Sequence, residues 1–173
     1  MAEQLKLRFG KPFIKDLSTC FVTVYSKFDT KKFTKFVFDK SWDDLELKER
    51  MRHITLGLNT VLPSDYPKAI KIMKKVKKIY KVVDFEMIVF PDYVEVYGQD
   101  HWDVSVDAME DFTEMATAEF AVRPYIKLNS KKMMKTMTKW SKHKNYHVRR
   151  LATEGCRPRL PWAMALPEFK KDP

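Results

Sequence analysis

Apolar residues return every three or four positions along most of this chain, the spacing of helices with one buried face. Between Lys11 and Phe28 they fall at Phe13, Ile14, Leu17, Phe21, Val24, Tyr25 and Phe28. Thr30 is placed to cap a short second helix carrying Phe33, Phe36 and Val37. Ser41 or Asp43 opens a third, with Leu45, Leu47, Met51, Ile54, Leu58 and Val61 inward, and Pro63 ends it. Asp65 caps a fourth that runs to Lys81, with Ala69, Ile70, Met73, Val76, Ile79 and Tyr80 on its inner side. A helical pattern resumes at His101, passes Met115 and continues through Glu119. Ser130 caps a helix with Met133, Met137 and Trp140 at i, i+4 and i+7, and Asn145 caps a last one. Gly155 follows that last helix, where glycine commonly ends one.

One stretch, DFEMIVFPDYVEVYG, is rich in β-branched and aromatic residues and permits a strand. Pro91 interrupts it and no partner strand is evident, so short helical turns are the expectation. The sum is eight or so helices joined by short loops: an all-α chain. Helix pairs stacked in series, as in a HEAT-like array, fit this pattern, with a compact irregular bundle as the alternative. A length of 173 residues fits a single domain over 1–173.

Charge sharpens the picture. The net charge is +10 and it is segregated. Val82 to Val122 holds eleven acidic residues and no Lys or Arg, whereas Phe120 to Thr153 holds ten Lys or Arg and no acid. Such blocks make an anion-attracting side, so a polyanion is the expected partner. The basic stretch is expected on the concave side of the array, where a one-signed field is focused. The amino terminus, MAEQLKLRFG, lacks a signal peptide's apolar run, and no apolar stretch approaches the roughly 20 residues a bilayer requires. Cys20 and Cys156 show no paired spacing, which fits reduced thiols in a cytoplasmic, membrane-free protein. No phosphate-binding loop, dinucleotide fingerprint, serine-nucleophile elbow or metal-ligand motif is present, so no metal and no cofactor is expected. His53, His101 and His143 are isolated and read as structural or exposed.

Two stretches could carry chemistry. In HVRRLATEGCRPRLPW, Val148, Leu151 and Ala152 form an inner stripe, so Arg149 and Arg150 can point outward together, with His147 toward the side. Arg157 and Arg159 flank Pro158, and Pro161 precedes Trp162, so the segment is stiffened while it offers two guanidinium groups and an indole. Guanidinium groups bind phosphate oxygens bidentately, and stiffness lowers the entropy lost on binding. The second stretch is EMATAEFAVRPYIKL, where Pro124 would free the carbonyl of Phe120 and bend a helix. Glu119 lies just before that bend, the last acid before the basic block. It reads either as an i, i+4 partner of Arg123 or as a carboxylate at the edge of a cationic surface, suited to stabilising a cation-like sugar.

HVRRLATEGCRPRLPW resembles the signature of the AlkC-like DNA alkylation repair enzymes, which are HEAT-like-repeat DNA glycosylases. AEFAVRPYI is similar to a second motif of that family, and LELKERMRHITLGLNTVLPSDYPKAI to its amino-terminal helices. The resemblance runs from about Phe13 to Leu166. It implies excision of cationic bases alkylated at N3, such as 3-methyladenine and 3-methylcytosine, from double-stranded DNA. It implies Glu119 as a catalytic carboxylate. Arg149, Arg150, Arg157 and Arg159 would then bind phosphates, with His147, Trp162 near the sugar, and Arg123 and Lys127 extending the cationic floor. The family's array continues into a repeat with an Asn-Leu-Asn-Asp-type motif that supplies a second carboxylate, whereas this sequence stops at EFKKDP. An amino-terminal part or truncated member, acting as a monomer, is therefore expected. The competing readings are a helical module that binds nucleic acid without chemistry, and a scaffold for acidic proteins.

Overall fold

Four short polar side chains start four of the helices. Asp29, Asp65, Asn129 and Asn145 each accept a backbone N–H from the first turn that follows, from Lys32, Lys68, Lys132 and His147. Thr30 and Ser130 are therefore first helical residues rather than caps. In the computed structural model, which describes residues 5–80 and 84–171, the helices are α1 (Lys11–Val24), α2 (Thr30–Val37), α3 (Leu47–Asn59), α4 (Tyr66–Ile79), α5 (Val89–Tyr97), α6 (Trp102–Phe112), α7 (Val122–Leu128), α8 (Ser130–Trp140) and α9 (Tyr146–Glu154). Among the described residues there is no β-strand. Residues 1–4, Lys81 at the end of the fourth expected helix, residues 82–83 and the final Asp172 and Pro173 lie outside them.

α3 starts later than Ser41 or Asp43 because Glu46 and Glu49 form a reciprocal capping box. Phe85–Ile88 is a single 3₁₀ turn leading into α5, whose first turn contains Pro91. A first-turn residue needs no N–H donor, so the proline is accommodated there.

Helices alternate between two layers. In one, Arg52 of α3 binds Asp92 and Glu95 of α5, and the Tyr125 hydroxyl of α7 donates to the Val94 carbonyl of α5 at 3.2 Å. Arg123 of α7 then donates to the Gly155 carbonyl just past α9 at 3.0 Å. In the other layer, Lys74 and Lys77 of α4 bind Asp107 and Asp111 of α6 at 2.6 Å, and the Trp140 indole of α8 donates to Glu110 of α6 at 2.5 Å. The order α3, α5, α7, α9 against α4, α6, α8 is the stacking of a helical array. Aromatic rings tie the start of the array together. Phe21 stacks on Phe28 at 4.8 Å and touches Phe90 at 6.0 Å, which meets Phe112 at 5.2 Å.

The acidic block is largely neutralised by this stacking. Besides the pairs above, Arg8 binds Asp84 and Glu86, and Lys77 also reaches Glu114. In Glu114 this contact holds the carboxyl below its ordinary range. The basic block has fewer such partners, but it is split by the fold. Lys127 belongs to α7, whereas the lysines of α8 stand on the α4–α6–α8 layer and line none of the cavity described below. The expectation that the whole block faces one concave side is corrected on that point: an alternating array sends successive helices to opposite layers.

Two other expectations change. The helix starting near His101 ends at Phe112, not at Glu119. Beyond it the Thr113 and Thr117 hydroxyls accept the backbone N–H groups of Ala118 and Glu119, each at 3.3 Å, and the chain turns. Pro124 is the third residue of the new helix α7, so it bends nothing. Gly155 ends α9 without a left-handed backbone, with φ −63°. Its glycine is required by space, since a Cβ there would lie 2.7 Å from Val122 Cγ2 and 2.8 Å from the Leu151 carbonyl oxygen. Gly155→Ala is expected to lower stability by about 1–3 kcal/mol through overpacking of α9 on α7. A thermal melt reads this, and an unchanged midpoint would mean that Val122 moves aside freely.

Candidate functional site

Glu119 sits in the turn between α6 and α7, with only 6 % of its surface exposed. Because it precedes α7, its side chain is not stacked one helical turn from Arg123, and the two do not pair. Its partner is Arg150 of α9, whose Nη1 stands 2.6 Å from Glu119 Oε1. That contact brings the charges together without an aligned hydrogen bond. The carboxylate is thus compensated by charge, and its remaining hydrogen-bonding capacity faces the cavity.

Arg123 is fully buried, and this is where the structure departs most from the sequence reading. Its Nε donates to the Met164 carbonyl at 2.5 Å, Nη1 to Gly155 at 3.0 Å and Nη2 to Pro158 at 3.4 Å. Burial, with no acid beside it, lowers its pKa. It contributes nothing to a cationic floor. Instead it clamps the segment after α9 from below, because a planar fork can reach three divergent carbonyls at once.

That segment is held elsewhere too. The Leu166 N–H donates to the Pro158 carbonyl at 2.9 Å, and Leu166 is fully buried. Within it, the Ala163 N–H donates to the Leu160 carbonyl at 3.2 Å and closes a four-residue turn. Pro161 is the second residue of this turn, and Trp162 is the third, at φ 64°. A turn with positive φ at its third position normally carries Gly or Asn there. Here it carries a tryptophan that is 60 % exposed. A side chain in so unfavourable a backbone state points to a role for the ring.

These parts enclose a cavity of about 340 Å³. Glu119, Arg150 and Glu154 border it with Lys48, while Phe9, Met51, Phe85 and Phe120 give it apolar walls and Trp162 stands at its mouth. The hollow is largely apolar, with two carboxylates, Glu119 and Glu154, and two cations, Lys48 and Arg150, on its border; charges in such surroundings are screened poorly by water.

The whole chain has relatives of known structure or sequence. No family model matches it. It is 43 % identical over 169 residues to the uncharacterized protein YhaZ of Bacillus subtilis (strain 168), covering 98 % of this chain and 47 % of that protein. It superposes on Pseudomonas fluorescens alkylpurine DNA glycosylase AlkC, bound to DNA containing an abasic site analog, with a TM-score of 0.93 and 34 % identity over all of this chain and 48 % of that one. The chain belongs to the AlkC-like family. It spans about half the length of both relatives.

In this AlkC-like chain the other residues singled out from the sequence are brought together only in part. Arg149 is exposed but turns back, donating to the His143 and Lys144 carbonyls at 2.7 and 2.8 Å. Arg149 and Arg150 are both exposed, but they point apart, because consecutive helical residues diverge by about 100°. Arg157 is exposed and pairs with Glu154 at 2.6 Å. Arg159 is exposed, and His147 is half-buried against the Tyr146 ring. Lys127 borders a separate shallow groove with Arg52, Glu95 and Met164.

Three residues on these surfaces were not singled out from the sequence. Glu154 lies on the same cavity as Glu119, one helical turn beyond Arg150, and the i+4 spacing was its only signal. Lys48 and Arg52 come from α3, more than a hundred positions from the RPRLPW segment. Only stacking of the array brings α3 there. Among the described residues no group of His, Cys, Asp and Glu is placed to hold a metal ion, and no helix is long and apolar enough to cross a membrane.

Proposed function

We propose that this chain forms the DNA-gripping and catalytic wall of a glycosylase that hydrolyses the N-glycosidic bond of cationic, N3-alkylated bases in double-stranded DNA, 3-methyladenine and 3-methylcytosine among them. The observation that carries the reading is Glu119, a buried carboxylate that faces the cavity and is held there by the half-exposed Arg150. Likeness along the whole chain to a glycosylase solved on DNA with an abasic site analog supports it.

The chemistry follows from charge. An N3-alkylated base is already positive, so its bond to C1′ breaks with the electron pair moving onto the base, which leaves neutral without a strong acid. Positive charge then grows on the sugar, and the Glu119 carboxylate offsets it in surroundings that screen poorly. A water attacks C1′ and gives its proton to the carboxylate or to solvent, leaving an abasic site. Arg150, 54 % exposed, holds Glu119 while presenting its outer edge to a phosphate. Arg157, Arg159, Arg149, His147 and Lys127 extend the phosphate grip, and Trp162 packs against the sugar. The steps use the chain's own residues and water, and such a protein would work in the cytoplasm as a monomer.

A second reading, a helical array that grips nucleic acid without chemistry, accounts for the arginines. It gives the buried Glu119 no part beyond holding Arg150. Release of 3-methyladenine from methylated duplex separates the two, assayed with this chain and with a protein of the relatives' full length. No release from either would favour the non-catalytic module.

The grip makes its own prediction. Arg157→Ala with Arg159→Ala is expected to weaken duplex binding on every sequence. The slope of log affinity against log salt should flatten by about one per lost phosphate contact. Unchanged affinity and slope in a salt titration would make RPRLPW purely structural.

A further inference from the structure

Trp162 is held in its strained turn from outside the segment that contains it. Lys48, in the first turn of α3, sends its ammonium to the Trp162 carbonyl. On the way that ammonium lies over the Phe120 ring, 5.2 Å from its centre. Phe120 is the residue after Glu119, so one side chain touches both the turn that presents the indole and the neighbour of the buried carboxylate. No other side chain among the described residues donates to Trp162. Arg123 holds the segment's base at Gly155, Pro158 and Met164 but not the tip of the turn.

A left-handed backbone at a residue with a Cβ persists only where its surroundings over-determine it. Pro161 limits the turn on one side and the Ala163 N–H closes it, yet both would serve a glycine at position 162 equally well. What they do not set is where the indole stands relative to Glu119. The contact from Lys48 does: it ties the carbonyl end of the turn to α3 and, through the Phe120 ring beneath the same ammonium, to the neighbour of Glu119.

We infer that Lys48 is a positioning residue: it locks the Trp162 turn over the cavity and so sets the protein's preference for DNA opened at a base over intact duplex. The inference rests on the glycosylase reading above, for that reading supplies the ligand. It differs from a simple phosphate contact, which would add affinity to all DNA alike and carry no information about a missing base. Here the Lys48 charge is directed inward, onto a carbonyl and an aromatic face, and acts on the ligand through Trp162.

The test uses the full chain with Lys48→Met, Lys48→Arg, Trp162→Ala and the Lys48→Met/Trp162→Ala double variant. Lys48 is exposed at the start of α3, and methionine keeps its length and helical propensity, so the single variant should fold. The first measurement needs no DNA. With 5-fluorotryptophan incorporated, ¹⁹F NMR gives one resonance for each of the four tryptophans, and loss of a line in Trp162→Ala assigns that residue. In Lys48→Met the Trp162 line alone should move toward its solvent position, and in Lys48→Arg it should stay.

The second measurement compares affinity for a duplex carrying a tetrahydrofuran abasic-site analogue with affinity for the same duplex intact. Lys48→Met should reduce that ratio about tenfold, Lys48→Arg should largely restore it, and in the Trp162→Ala background Lys48→Met should change it no further. An unmoved Trp162 line overturns the lock. So does an equal loss of affinity for both duplexes with a salt slope lower by about one, the mark of an ordinary phosphate contact. If the unaltered chain shows no preference for the abasic duplex, the repair reading fails on that measurement, and the fluorine spectrum still decides the lock by itself.

Discussion

Glu119→Gln is expected to slow base excision by about 10²–10³-fold in any form of the protein that excises, while leaving the fold intact. Glutamine preserves shape and polarity and removes the negative charge that the proposed mechanism sets against the developing sugar cation. Binding to duplex should stay equal or tighten, because a negative charge next to phosphates has gone and Arg150, now unpaired, turns its full charge to the DNA. The opposite outcome is equally definite. If Glu119 serves only Arg150, the change removes one ion pair with a half-exposed partner, a loss of about 0–1 kcal/mol. Single-turnover release of methylated bases and a thermal melt on the same variant separate the two. An intact rate with a lower melting point would show the carboxylate to be structural.

Arg123→Met should be the most destabilising substitution in this part of the protein. It removes three donors from the carbonyls of Gly155, Pro158 and Met164, of which only Pro158 keeps another partner, the Leu166 N–H. A buried carbonyl left without a donor costs about 1–3 kcal/mol, so a total near 3–5 kcal/mol is expected. That is a large part of the roughly 5–15 kcal/mol that holds a domain together. Arg123→Lys should recover little, since one ammonium cannot span three carbonyls that diverge around a guanidinium plane. A chemical-denaturation midpoint reads the effect. Where folded protein remains, affinity for abasic DNA should fall with it, because the Trp162 turn has lost its base. A phosphate-binding Arg123 would do the reverse, leaving the midpoint in place and lowering the salt slope by about one.

The helices were legible because their causes are local. Asp65 and Asn145 each cap the helix they precede, and the stripes Phe13–Ile14–Leu17–Phe21 and Met133–Met137–Trp140 are buried as their spacing requires. Helix ends were less legible where side chains compete for the backbone. Nothing in the periodicity from His101 onward marks Phe112 as the last helical residue; the Thr113 and Thr117 hydroxyls decide it by capturing N–H groups that a longer helix would use. Gly155 shows the same limit from another side. Its position after α9 was evident, but its reason is Val122, on a helix that the sequence does not place beside it.

The sequence by itself determined an all-helical chain, the caps Asp65 and Asn145, the segregation of charge, and the two segments around Glu119 and RPRLPW that meet at the cavity. Those depend on neighbours within a few residues, or on residue types alone. Tertiary structure alone decided what each charge does. Arg123 and Arg150 are both expected from the sequence to contact DNA, yet one is sealed beneath the loop on three carbonyls and the other holds Glu119. Lys48 reaches Trp162 across 114 positions. A guanidinium or ammonium group takes whichever acceptor the stacked layers bring within about 3 Å, and that distance is set by packing between helices, which no local pattern records.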